Sequence, residues 1–168
     1  RKISNLQLDS LTYEQVREHL KDKQYKDVTI KKSDHSISLT LPKNYDSYLD
    51  NLGKKKRHEL KRKKSKFTAQ LGEIELQSSN DLVIFDKFIE QHKLSDGEKG
   101  SFMNKEVELF FCDLLAIKGW KIYFIENNNE LISSAFVYEN KKGCYLYNST
   151  KNSQFDPINP GIVLIDLI

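Results

Sequence analysis

Few residues of this chain can do chemistry by themselves, and their spacing narrows what that chemistry would be. The four histidines, His19, His35, His58 and His92, stand apart, with no i, i+4 pair and no neighbouring cysteine, so they do not make a metal-ligand set. Cys112 falls in a helical pattern and Cys144 in a strand pattern, 32 positions apart. They read as two separate thiols rather than a zinc or redox motif. Neither Gly-x-Ser-x-Gly nor Gly-x-x-x-x-Gly-Lys-Ser/Thr occurs, so a hydrolase nucleophile elbow and a Walker phosphate loop have no support. A reaction carried out here is expected to need neither a metal nor a covalent enzyme nucleophile.

Two segments invite an anion. Asn159-Pro160-Gly161-Ile162-Val163 leaves a loop and opens an apolar helix, whose first turn would present unpaired N–H groups and the positive end of the helix dipole. Pro160 fixes φ there, and Gly161 lets a ligand come close to the backbone. Residues 54–66 carry nine basic residues and one acid, which puts +8 on a chain whose total is +3 and leaves −5 on the remainder. Lys54, Arg57, Lys61, Arg62 and Lys64 are the candidate anion contacts. No aromatic residue is interleaved among them for base stacking, and an acidic lipid surface fits as well as a nucleic acid. The competing reading is a solvated helix that docks through Leu49, Leu52, Lys56, Leu60 and Phe67.

The elements that must position these groups follow from periodicity. Thr12-Tyr13-Glu14-Gln15 is a capping box, so a helix is expected from Thr12 to Lys23. Val28 and Ile30, then Ile37, Leu39 and Leu41, alternate as two strands ended by Pro42. Asn44 to Leu52 is expected as a short amphipathic turn or helix, broken by Gly53 from the basic one. Phe67 to Leu76 reads as a strand with a bulge at Gly72. Asn80 caps a helix with Leu82, Phe85, Phe88, Ile89 and His92 inward, and Ser95 to Ser101 is a polar loop. Asn104 then caps a helix with Val107, Phe110, Phe111, Leu114 and Leu115 inward. Trp120 to Glu126, Leu131 to Glu139 and Gly143 to Thr150 make an antiparallel meander, split by Asn127-Asn128-Asn129 and Asn140-Lys141-Lys142.

With 38% apolar and 30% charged residues and a mean hydropathy of −0.62, the chain is neither fibrous nor disordered. It holds one globular domain, or one and a half small ones. No apolar run approaches the ~18 residues of a membrane span, and residues 1–20 lack the regions of a signal peptide, so a cytoplasmic protein is expected. The absence of an initiator Met before Arg1 and the apolar run Leu164 to Ile168 suggest a segment of a longer chain.

Leu41-Pro42-Lys43-Asn44-Tyr45 through Gly53 to Lys63 resembles the start of the second domain of the cellulose-biosynthesis-type GNAT acyltransferases, GNAT-like acetyltransferases related to the Fem peptidoglycan aminoacyltransferases. Gly119-Trp120 through the meander to Phe155-Asp156-Pro157 and Asn159-Pro160-Gly161-Ile162-Val163-Leu164 is similar to the central strands and loop-to-helix turn of that family. The resemblance covers most of residues 6–168. It implies an α+β fold with a mixed, mostly antiparallel sheet and flanking helices, the C-terminal part of the fold missing here. Residues 1–42 would be the tail of a preceding GNAT-like domain, and residues 43–168 the N-terminal portion of an acyltransferase domain.

The resemblance further implies acyl transfer from acyl-coenzyme A to an amine on a small molecule or glycan precursor. Aminoacyl-tRNA is the alternative donor, as in the Fem relatives, and a noncatalytic polyanion-binding module using residues 54–66 is the alternative from another class. The GNAT pyrophosphate signature Arg/Gln-x-x-Gly-x-Gly/Ala is replaced here by Asn159-Pro160-Gly161. On this reading Ser149, Asn159, Pro160, Gly161, Ile162 and Val163 hold the donor. Tyr145, Tyr147 and Ser149 fall on one face of the last strand, with Leu146 and Asn148 on the other. Tyr147 is the candidate acid, and Asp156 or Glu126 the candidate base.

Overall fold

The computed structural model describes residues 12–21, 28–31, 37–73 and 75–168, and divides into two units, Arg1–Tyr45 and Asp46–Ile168. In the first, helix α1 (Tyr13–Leu20) starts at the expected capping box. The Gln15 N–H donates to the Thr12 hydroxyl at 3.2 Å, and the Thr12 N–H donates to the Gln15 side chain at 2.8 Å. The expected end of this helix at residues 22–23, His35 and Ile74 lie outside the described residues. The two expected strands do not form among the described residues: 28–31 and 37–42 carry no ladder, and Ile37 is 98% exposed. Alternation alone makes no strand where no neighbouring strand supplies hydrogen bonds and packing.

The second unit runs from α2 (Tyr45–Asn51) through α3 (Lys54–Leu71), β1 (Gln77–Ser79), α4 (Leu82–Lys93), α5 (Glu98–Phe102), α6 (Lys105–Leu115), β2 (Trp120–Asn127), β3 (Glu130–Asn140) and β4 (Gly143–Lys151). A 3-10 turn (Ser153–Ile158) and α7 (Pro160–Leu167) follow. The strands form one antiparallel sheet in the order β1-β2-β3-β4. The meander therefore forms as its spacing predicts. Asn128 and Asn129, both at positive φ, close the β2–β3 hairpin, as a two-residue turn with the twist of its strands requires.

Four expectations give way. The basic helix does not stop before Phe67 but runs to Leu71, because the true period is four: Phe67 is buried, Leu71 half-buried and Ala69 exposed. Gly72, at φ +87°, ends the helix with its N–H on the Thr68 carbonyl at 2.8 Å, a left-handed position that suits glycine. Asp81, not Asn80, caps α4, accepting from the Ile84 N–H at 2.9 Å; Phe85, Phe88, Ile89 and His92 are buried as expected, but Ile84 takes the inward place expected of Leu82, which is exposed. Asn104 does cap α6, accepting from the Glu106 and Val107 N–H groups, but Phe110 turns out to solvent. The expected polar loop from Ser95 to Ser101 gives way to helix α5 from Glu98 onward, which ends one residue beyond it at Phe102.

The sheet separates two apolar layers. Phe85, Phe88, Phe111, Leu115, Ile122, Phe124 and Phe136 join α4 and α6 to one face. Phe67, Ile125, Ile132, Ala135, Val137, Ile158, Val163 and Leu164 join α3, the 3-10 turn and α7 to the other. Each helix carries one apolar stripe and each strand offers two faces, so covering both is the solution that leaves least apolar surface in water. Ile132 is skipped between the Leu131–Glu126 and Ser133–Ile125 pairs. This bulge puts Ile132 into the α3/α7 layer beside Ser133, whose hydroxyl donates to the Pro160 carbonyl at 3.3 Å and ties β3 to the start of α7.

Candidate functional site

The edge strand β4 breaks its own alternation. Phe136 pairs with Asn148 and Val137 with Leu146, so Tyr147 has no register partner. A bulge of this kind turns two successive residues to one face, here Tyr147 and Asn148 to the α4/α6 side. The Tyr147 ring lies 5.4 Å from Phe111 and 5.5 Å, edge-on, from Trp120, yet the residue stays half exposed. The expected grouping of Tyr145, Tyr147 and Ser149 on one face is thereby corrected: Ser149, paired with Ala135 of the α3/α7 layer, lies on the opposite face from Tyr147, and Asn148 joins Tyr147 instead. No spacing rule signals a bulge at Tyr147, so Asn148 has no role in a reading by alternation alone.

Beneath the bulge lies a polar group of α4. His92 is buried, with its Nε2 3.0 Å from the Asn148 Oδ1. Burial is the main cause that holds the ring's pKa below its usual value, with the Asn148 hydrogen bond opposing and the Lys99 charge adding to the shift. Thr150, two residues along the same face of β4, is buried with an unpartnered hydroxyl.

At the end of β4 the chain passes through the 3-10 turn to α7. Asn159 adopts a left-handed conformation, φ 57° and ψ 51°, and its carbonyl accepts from the Ile162 and Val163 N–H groups at 3.1 and 3.2 Å. Pro160 has no N–H, so Gly161 carries the one N–H of this first turn that reaches no backbone carbonyl among the described residues. A Cβ on Gly161 would meet nothing nearer than the Lys151 Cδ at 4.0 Å, which is open approach to the backbone rather than conformational need. Pro160 and Val163 are buried anchors and Ile162 is exposed.

The two candidate bases part company. Asp156 lies in the 3-10 turn with its Oδ1 2.5 Å from the Lys151 Nζ. Both line a cleft of about 740 Å³ that also takes in Gln91, Leu94, Lys99 and Asn152. The Lys99 ammonium is held below its usual pKa by burial first and by the Lys151 charge second. Glu126 lies on β2, paired with Lys87, two strands and roughly 10 Å from β4. Among the described residues no three His, Cys, Asp or Glu side chains gather as a metal site, and no helix is long and apolar enough to cross a membrane.

The basic helix divides its charge between two faces. Turned to the body, Arg57 pairs with Asp50 at 3.0 Å, Lys63 with Glu59 at 2.9 Å and Lys64 with Asp166 at 2.8 Å, while Lys66 donates to the Pro157 carbonyl at 2.9 Å. The Lys63 hydrogen bond is the chief cause that lowers the Glu59 pKa. Lys54, Lys55, Lys61 and Arg62 are exposed and hold no ion pair among the described residues. Of the five candidate anion contacts, Lys54, Lys61 and Arg62 thus face solvent, and Arg57 and Lys64 are engaged internally.

No curated protein matches the chain. Residues 54–168 match the family model of the acetyltransferase (GNAT) domain, a span that begins at the basic helix and takes in both helical layers, the whole sheet and the turn into α7. The order of elements, the bulged edge strand and the open helix start all lie inside that span, and the chain belongs to the GNAT acetyltransferase family.

Proposed function

We propose that the chain is an N-acyltransferase that moves an acyl group from acyl-coenzyme A to an amine, and that its nearer kin are the cellulose-biosynthesis-type and Fem enzymes. The observation that carries this reading is the free N–H of Gly161 at the open start of α7, next to the edge strand with its bulge. Asn159 to Val163 form the cradle for the donor's diphosphate, with Ser149 on the same face of the sheet as α7. The amine nitrogen attacks the thioester carbonyl, the carbon–sulfur bond breaks, and the amide forms. Tyr147 protonates the leaving thiolate. Asp156 takes the amine's proton through the cleft it lines, and Glu126, two strands away, is left to its ion pair with Lys87. The amine belongs to a small molecule or glycan precursor, and residues 1–42 are the tail of a preceding domain.

Gly161→Val tests the cradle. A β-branched side chain fits the open space in the folded protein but occupies the anion's path. Calorimetry should show coenzyme A binding weakened at least tenfold, about 1.4 kcal/mol, with the melting temperature unchanged. Equal affinity removes this loop from the donor site.

The unpaired outer cations of α3 favour a second reading for that helix alone, as a contact for a polyanion such as the tRNA of an aminoacyl donor. An acyl-coenzyme A donor and a polyanion contact use different faces, so each stands or falls separately.

A further inference from the structure

His92 is a buried ionisable group that the reaction above does not use. It has 1% of its surface exposed, edge-on to Phe88 at 5.9 Å and beside Phe102 at 6.0 Å. An apolar ring would fill this place at no polar cost, since every buried nitrogen must find a partner or lose its hydration for nothing. Nε2 has the Asn148 Oδ1, and Nδ1 has no hydrogen-bond partner among the described residues. A neutral ring carries one proton. On Nε2 that proton is bonded and only an acceptor is left unpaired; on Nδ1 the carboxamide would turn over to offer its NH2 to Nε2, and a buried N–H would be left with no acceptor among the described residues. The imidazole therefore donates to the Asn148 oxygen and sets the plane of the carboxamide, whose NH2 group meets no acceptor among the described residues.

Asn148 is also the residue that the bulge moves onto the face of Tyr147, on the strand at the edge of the sheet. Two adjacent side chains there, the Tyr147 hydroxyl and the Asn148 NH2, have no hydrogen-bond partner among the described residues, while the group that orients the second is a histidine buried for that contact. We propose that His92 is a positioning residue that holds the Asn148 carboxamide at the β4 bulge so that its NH2 donates to the carbonyl oxygen of the bound acyl thioester. The inference rests on the acyl-transfer reading. As the amine adds, that oxygen gains negative charge, and a donor already fixed in place stabilises it without reorganising. The carbon–nitrogen bond forms, the carbon–sulfur bond breaks, Tyr147 gives its proton to the thiolate, and neither Asn148 nor His92 gains or loses one.

The test needs no acceptor. Isotope-edited infrared spectra of acetyl-coenzyme A bound to the full chain report how strongly the thioester carbonyl is polarised. The parent should lower the carbonyl stretch relative to free acetyl-coenzyme A. Asn148→Asp, nearly the same shape without the donor, should lose that lowering; His92→Phe should lose most of it, and His92→Gln, which keeps an N–H, should restore part. Coenzyme A without the acetyl group should bind all of them alike. An unshifted carbonyl in the parent, or an undiminished shift in Asn148→Asp, overturns the proposal while leaving acyl-coenzyme A binding intact. A parent that binds neither coenzyme A nor acetyl-coenzyme A overturns the acyl-transfer reading, and this inference with it. Should His92→Phe fail to fold, Asn148→Asp decides by itself.

Discussion

At the scale of single residues, small polar side chains decide where elements begin. Asp81 accepts from the Ile84 N–H and also holds the Ser79 hydroxyl, and the latter bond is the first cause that lowers its pKa. Asn80, one position earlier, makes no such bond. Asp81→Ala should therefore cost about 1 kcal/mol in urea unfolding, whereas Asn80→Ala should stay within about 0.5 kcal/mol. Equal effects would show that the cap does not set the phase of α4. The stripe of α4 matters for the site, because Phe85, Phe88, Ile89 and His92 stay inward as their spacing predicts and His92 lies beneath Asn148. Composition places both an Asn and an Asp before this helix, and nothing in the local sequence ranks them; the packing of Ile84 against the sheet does.

At the scale of elements, α3 is held by a short apolar stripe and decorated by charge. Phe67 is its one fully buried side chain, set among Ile125, Ile132, Val163 and Leu164. Phe67→Ala should destabilise the protein by about 3–5 kcal/mol, read by denaturant titration. Replacing Lys54, Lys61 and Arg62 together by Gln should leave stability nearly unchanged, since exposed charges contribute little. On a duplex nucleic-acid probe, three fewer cations should flatten the log–log salt dependence of binding by about 2.7. No change in slope would remove this face from any polyanion contact. The sequence made the charge of this helix plain, but only the three-dimensional arrangement shows which cations are neutralised, because Asp50, Pro157 and Asp166 come from elsewhere in the chain.

At the scale of the whole molecule, titration separates two contributions to stability. The His92 pKa is lowered in the folded state, chiefly by burial, so below about 6.5 the unfolded chain binds the proton that the folded ring refuses. Stability should hold above neutrality and fall as pH drops below about 6.5. Carboxylates whose pKa is lowered in the fold, Asp81 and Glu108 among them, stabilise above their ordinary range and lose that contribution at lower pH. Melting temperatures of the parent and His92→Gln should thus diverge as pH falls below about 6.5; parallel curves throughout would mean that folding leaves the ring's pKa where it is in the unfolded chain. The meander, the caps at Thr12 and Asn104 and the break at Gly53 were determined by the sequence itself, because turn chemistry and capping act over a few neighbouring residues. Phe67 to Leu71 continuing as helix, the two bulges, and the meeting of His92 with Asn148 were decided only by the tertiary structure. Each depends on a partner from a distant part of the chain, and a periodicity of two or four says which face a side chain takes but not what waits there.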